Sequence, residues 1–198
     1  MCKTIDKIEY SLKEYGSYIG VDEVGRGALA GPVFAAAVFV DRKSINYIKE
    51  VKDSKKLSKN KRVKIASEIK KLHKFAIAQV SPKIIDEINI HQASLLAMKK
   101  ALLKIKTNTD IVLVDGPYKI PEITTPQLSL ISGDNLSYAI AAASIIAKVA
   151  RDDLMSRYQK KFKNHSFASH KGYGTKKHKE EILLSGKTNI HRNSFKLI

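Results

Sequence analysis

Ile111, Val112, Leu113 and Val114 form an unbroken apolar run that stops abruptly at Asp115-Gly116. A strand with one face in water alternates polar and apolar residues; a run with no polar side marks a strand buried on both faces. Such a strand calls for helices above and below its sheet. The rest of the chain supplies the parts. Tyr18 to Asp22 reads as a short strand ended by the turn Gly25-Arg26-Gly27, and Pro32 to Val40 as its hairpin partner. Ser58 is placed to cap a basic helix with the apolar stripe Val63, Ile65, Ala66, Ile69 and Leu72. Phe75 to Val80 reads as a strand. Ser81-Pro82 then opens a helix that runs to about Lys104 with a break near Asn89. Gln127 to Ile131 is a fifth strand. A long helix over Leu136 to Lys160, apolar nearly all round at its start, should be buried, and a short helix follows near Lys176 to Leu184. The expected class is α/β: a five-stranded mixed sheet flanked by helices, in a single domain of 198 residues with no linker.

Composition narrows the function. No apolar run approaches the ~20 residues that span a bilayer, and Met1 to Lys13 lacks a signal-peptide core. Cys2 is the only cysteine, which excludes disulfides and Cys-based metal sites within the chain and fits a cytoplasmic protein. The net charge of +17 favours a polyanionic partner. Its distribution says more. Residues 42–74 carry thirteen bases against three acids, residues 157–198 eleven against two, and the stretch between them balances eight against eight. Two basic segments flanking a neutral middle suit a grip on phosphates beside an acidic centre. With no Trp, a stacking platform for single strands is not indicated.

Hydrolysis of a phosphodiester with two metals needs several carboxylates in a small volume, because hard Mg²⁺ or Mn²⁺ ions take oxygen ligands. Sheets place such groups at strand ends. Asp22 and Glu23 follow the first strand and Asp115 follows the buried one. Neighbours in a strand point to opposite faces, so Asp22 and Glu23 share a site only if the backbone turns there, for which the Gly25-Arg26-Gly27 segment offers freedom. The fourth acid is either Asp134 or Asp152. Eighteen residues of helix would separate them by about 27 Å, so only one can join the cluster. Asp134 as a helix cap, Asp152 in an ion pair with Arg151, and Asp115-Gly116 as a plain turn are the simpler structural readings.

Longer strings carry a resemblance. Gly20-Val21-Asp22-Glu23-Val24-Gly25-Arg26-Gly27, then Leu29-Ala30-Gly31-Pro32-Val33, resembles the opening signature of ribonuclease HII. Asp53-Ser54-Lys55-Lys56-Leu57-Ser58, the segment Ile85 to Ile90, Val114-Asp115-Gly116, Gly133-Asp134, Ala141 to Val149 with Arg151-Asp152, Gly172-Tyr173-Gly174-Thr175 and His191 to Phe195 follow in the family's order. The resemblance implies a ribonuclease H-like fold with a helical C-terminal extension, residues 17–198 being the catalytic domain after a leader of residues 1–16. It implies hydrolysis of the RNA strand of RNA–DNA hybrids, and cleavage 5′ of ribonucleotides embedded in duplex DNA, leaving 3′-hydroxyl and 5′-phosphate ends. Asp22, Glu23, Asp115 and Asp134 are then the catalytic metal ligands for two Mn²⁺ or Mg²⁺ ions, with Asp152 in support. Gly25, Arg26, Gly27 and Tyr173 read the RNA–DNA junction, and Ser54, Lys55 and Lys56 contact substrate. A monomer working in DNA replication and repair is expected. Glycines also let backbone approach the minor groove where 2′-hydroxyls lie, and a Tyr ring can stack on a sugar. Ala28, Pro117 and Ser132 depart from the family's usual Pro, Asn and basic residue.

Three rivals follow. A ribonuclease HIII-like enzyme adds an N-terminal domain, for which the stretch before the first strand is too short. A histidine-based ribonuclease would use some of the six His, but His170 and His178 read as exposed or phosphate-contacting members of a basic loop. A noncatalytic duplex-binding protein is disfavoured because unneutralised carboxylates repel phosphate.

Overall fold

The computed structural model describes residues 12–43, 47–51 and 57–196. Five strands form one sheet: β1 (Ser17–Val24), β2 (Val33–Asp41), β3 (Phe75–Val80), β4 (Ile111–Asp115) and β5 (Gln127–Leu130), in the order β3-β2-β1-β4-β5. β1 pairs antiparallel with β2, and β2 with β3, while β1–β4 and β4–β5 are parallel. The expected hairpin and mixed sheet are both present. Among the described residues five α-helices accompany it: α1 (Lys59–Leu72), α2 (Pro82–Lys104), α3 (Tyr138–Lys161), α4 (Phe167–His170) and α5 (Lys176–Ser185).

The sheet lies between two apolar layers, as the β4 run requires. Val112 and Val114 join Ile19, Val21, Ala35 and Ala37 beneath α2, whose Ala93, Ala97, Met98 and Ala101 cover them. Leu113 joins Tyr18, Ala36 and Val38 beneath α3, whose Ala139 to Ala147 stretch is buried, and α1 packs on that side too. Gly20 makes the α3 contact possible. A Cβ there would overlap the backbone of Ala139 and Ile140, so only glycine lets this helix settle onto β1.

The helix caps follow sequence chemistry. Ser58 and Ser81 accept from the backbone N–H groups of Lys61 and Ile84, and α2 kinks at Asn89 with φ 65°. Two expectations need correction. On α1 only Ile65, Ala66 and Ile69 are buried, while Val63 and Leu72 face solvent, because α1 packs chiefly against the single helix α3 and buries a narrower stripe. The long helix begins at Tyr138 rather than Leu136, after a 3₁₀ turn at Gly133–Asn135. Leu12, within the stretch assigned to a leader, is buried in the α1–α3 layer. Among the described residues no helix is long and apolar enough to cross a membrane.

Candidate active site

β1 and β4 run parallel, and their last paired residues are Val21 and Val114, so Asp22 and Asp115 lie side by side just beyond that last pair, Asp22 still paired with β2 and Asp115 with β5. Open α/β sheets hold ligands at the carboxyl ends of their strands. One carboxylate oxygen each from Asp22, Glu23 and Asp115 lies within 4.8 Å of the others. The turn expected between Asp22 and Glu23 is not what unites them, since β1 stays paired with β2 through Val24. Past Val21 the strand has lost its β4 neighbour, so side chains from opposite faces meet round the free margin. Asp22 Oδ1 also accepts from the Glu23 backbone N–H at 2.6 Å, which folds that carboxylate along the chain.

Asp134 reaches the same place by a different route. Ser132 adopts a left-handed φ of 55°, and the Gly133 N–H donates to Asp115 Oδ1 at 2.7 Å. That bond pins the 3₁₀ turn beside β4, and the buried Asp134 lines one cleft with Asp22, Glu23, Arg62, Ser144 and Lys148. It does not cap α3, whose N-cap residue is Ser137. Asp152 lies outside this cleft, in a neighbouring groove with Lys59, Arg62 and Ser156. Its partner is Lys148, 2.8 Å away, and not Arg151 as the simpler reading had it. Asp152 therefore touches the cleft only through a lysine that lines it.

The cleft is electrostatically unfavourable by itself. Burial first, and then the charges of Asp115 and Glu23, raise the Asp22 carboxyl well above the usual carboxylate range. Burial also raises Glu23, although Arg26, 3.6 Å away, draws it back. Crowded, partly desolvated oxygens that repel one another are the donor set that hard divalent cations neutralise. The residues present fit such ions.

A second surface adjoins the acids. Gly25 is buried with φ 95°, and Arg26 and Gly27 are exposed at the tip of the turn. Tyr173 is half-buried, forms a bridge with Ala28, and has the Arg151 guanidinium 5.2 Å and the Lys148 ammonium 5.6 Å from its ring centre. Ser54, Lys55 and Lys56 lie outside the described residues. His170 and His178 are buried rather than exposed, because α4 and α5 fold back over them, so neither is free to meet a phosphate.

Residue patterns missed four groups here. Arg62 and Lys148 line the cleft. Arg151 and Arg192 are fully buried and donate only to backbone carbonyls: Arg151 to Ala30, Pro32 and Lys171, Arg192 to Gly25, Arg26 and Gly31. Lys148 carried a usable signal, being one helical turn before Asp152. The buried arginines carried none, since their partners are backbone atoms far off in the chain.

The sequence model of the family Ribonuclease HII matches residues 19–198. A Ribonuclease HII of Caldicellulosiruptor saccharolyticus is 52% identical over 189 residues, covering 94% of this chain and 91% of that protein. Among solved structures, the RNase HII in a PCNA:RNase HII complex from Archaeoglobus fulgidus superposes with a TM-score of 0.74 at 29% identity, covering 91% of this chain and 96% of that one. A Bst-RNase HIII in complex with Mn²⁺ shares the fold, with a TM-score of 0.74 at 21% identity over 91% of this chain and 67% of that one.

Proposed function

This chain belongs to the ribonuclease HII family, and on that premise we propose that it cuts duplex DNA on the 5′ side of an embedded ribonucleotide, and the RNA strand of RNA–DNA hybrids, using two divalent ions. Ribonuclease H endonuclease activity, dependent on divalent metal, comes with the family. The finer reading rests on one observation above others: Lys148, which lines the acid cleft, stands 5.6 Å from the Tyr173 ring centre, while Arg26 of the Gly25–Gly27 turn lies 3.6 Å from Glu23.

Each group has a role that its position supports. Asp22, Glu23, Asp115 and Asp134 would hold the ions, which when bound supply an activated water and stabilise the leaving oxygen. Lys148 and Arg62 line the same cleft and offset phosphate charge there. Asp152 holds Lys148 in place through its 2.8 Å bond. Gly25, Arg26 and Gly27 approach the minor groove, and Tyr173 rests on the sugar of the ribonucleotide, where the 2′-hydroxyl separates RNA from DNA. Ser54, Lys55 and Lys56 add phosphate contacts. Mn²⁺ is the first ion to try, since a protein of the same fold holds it.

The test is a labelled DNA duplex with one ribonucleotide, incubated with Mg²⁺, Mn²⁺ or chelator. Cleavage 5′ of the ribonucleotide is expected with either ion, giving a 3′-hydroxyl, and none with chelator. Cleavage that persists in chelator and leaves a cyclic phosphate would transfer the chemistry to the 2′-hydroxyl and end this reading. Binding without cleavage under all conditions would favour the noncatalytic alternative.

A further inference from the structure

Behind Tyr173 lies a cluster of buried imidazoles, His165, His170, His178 and His191. Their hydrogen bonds can be assigned a direction. The Thr188 backbone N–H lies 2.8 Å from His191 Nδ1, nearer than the Thr188 hydroxyl at 3.0 Å, which can donate as well, and the Thr188 carbonyl oxygen at 3.3 Å, so the amide sets the direction. An amide nitrogen only donates, so His191 Nδ1 is the acceptor, and a neutral ring then carries its proton on Nε2. That Nε2 is 3.1 Å from His178 Nε2. His178 must accept there and hold its own proton on Nδ1, which lies 2.9 Å from the Tyr173 carbonyl oxygen. A carbonyl only accepts. The two ends, set independently by an amide and a carbonyl, thus demand one and the same pair of tautomers.

Burial favours the neutral rings this needs, holding both His178 and His191 at about 4. A neighbouring bond works the same way: the Gly172 N–H donates to His170 Nδ1 at 3.1 Å, and His170 Nε2 faces Glu181 at 3.0 Å. The loop holding Tyr173 is thereby gripped from beneath by two histidines. Its upper side is tied to Leu29 and Ala30, whose N–H groups donate to the Gly172 carbonyl.

His165, His178 and His191 also bring ring nitrogens within 4.8 Å, and His165 Nδ1 is buried without a hydrogen bond, so a metal site has to be weighed. The tautomers argue against it. A cation on His191 Nε2 would displace the proton to Nδ1, exchanging the 2.8 Å bond from the Thr188 N–H for the longer 3.3 Å contact to the Thr188 carbonyl oxygen.

We propose that His178 and His191 form a relay of two neutral imidazoles that sets the backbone position of Tyr173 and so aims its ring at the substrate. They are positioning residues, and the proposal rests on Tyr173 being the residue that contacts the sugar. The direct test is imidazole ¹⁵N NMR on the wild-type protein. His178 should be the Nδ1–H tautomer and His191 the Nε2–H tautomer at neutral pH; His178 as Nε2–H, or either ring charged, overturns the relay. Stoichiometric Zn²⁺ uptake that His191→Gln abolishes would also overturn it, in favour of a metal site.

The functional consequence is read in a double-mutant cycle. His191→Leu should lower kcat/KM on a single-ribonucleotide duplex about tenfold, short of the roughly hundredfold that a 1 Å misplacement can cost. Mn²⁺ affinity by calorimetry should not change. His191→Gln, which keeps a donor at the tip, should recover most of the loss. In a Tyr173→Ala background His191→Leu should cost nothing further; additive losses would make the histidine merely structural and overturn the positioning role. If Tyr173→Ala alone has no effect, the sugar-contact reading fails, while the NMR result still judges the relay.

Discussion

The acid cleft and the Tyr173 loop lie side by side and are built on opposite principles. In the cleft, three carboxylates crowd within 4.8 Å on the rigid ends of β1 and β4, and their charges oppose folding until a cation arrives. Around Tyr173 almost every buried donor has found an acceptor, and two buried arginines and three histidines bond backbone groups of the surrounding loops. One region concentrates unneutralised charge on regular secondary structure. The other reaches precision in irregular backbone by saturating its hydrogen bonds. The difference follows from the tasks: a metal site benefits from stored repulsion that binding relieves, whereas a loop that must hold a ring against a sugar gains from having no alternative arrangement.

The strongest way to break this comparison is to neutralise the cleft. Asp22→Asn, Glu23→Gln, Asp115→Asn and Asp134→Asn should each lower cleavage by orders of magnitude, because each removes a charged oxygen from the proposed ion site. In metal-free protein Asp22→Asn should also raise the thermal midpoint, since the burial of a charge and the repulsion by Asp115 and Glu23 that together lift the Asp22 carboxyl are gone. A lower midpoint would show that the cleft stores no repulsion. Asp152→Asn, which acts only through Lys148, should cost far less; full activity of Asp134→Asn beside a dead Asp152→Asn would exchange their assignments.

Next in size is the ring itself. Tyr173→Ala should lose at least tenfold in kcat/KM on a single-ribonucleotide duplex, given about 1–3 kcal/mol for an aromatic stacking contact. Metal binding should be normal. Tyr173→Phe should fall between, and wild-type rates for Tyr173→Ala would return the residue to loop packing.

Acidity should separate the two regions by sign. His178 and His191 sit at about 4 when folded against an ordinary 6.5, so below pH 6.5 the unfolded chain takes up protons that the folded one refuses. Their contribution is fully present above pH 6.5 and is lost as pH falls towards 4. Burial and neighbouring carboxylates raise Asp22 and Glu23 when folded, so in metal-free protein their contribution improves as pH falls through their raised values. Thermal midpoints of metal-free wild type and Asp22→Asn should therefore converge on acidification, the variant starting higher and losing stability more steeply. Parallel curves would contradict the contrast.

The smallest effect is expected in the basic segment of residues 42–74. Replacing Lys55 and Lys56 by Ala should weaken binding to all duplexes and flatten its salt dependence, each lost phosphate contact changing the log–log slope by about one unit. An unchanged slope would make them ordinary surface charge.

Much of this molecule is legible in local sequence. The apolar Ile111–Val114 run demanded a strand covered on both faces, and β4 is that strand. Ser58 and Ser81 announced helix starts, and Asn89 a kink, because capping and backbone strain act within a few residues. Asp22, Glu23 and Asp115 could be placed at strand ends from periodicity alone. What local patterns left open was decided by contacts between distant segments. Residue spacing could not choose between Asp134 and Asp152, since the choice depends on a 3₁₀ turn pinned by the Gly133 N–H to Asp115. The histidines read as an exposed basic loop, yet folding buried them and fixed their tautomers. Arg151 and Arg192 bond carbonyls up to 121 and 167 residues away. Backbone acceptors are the same at every position and leave no mark in the sequence, so only the folded chain could show which of them each arginine and histidine would find.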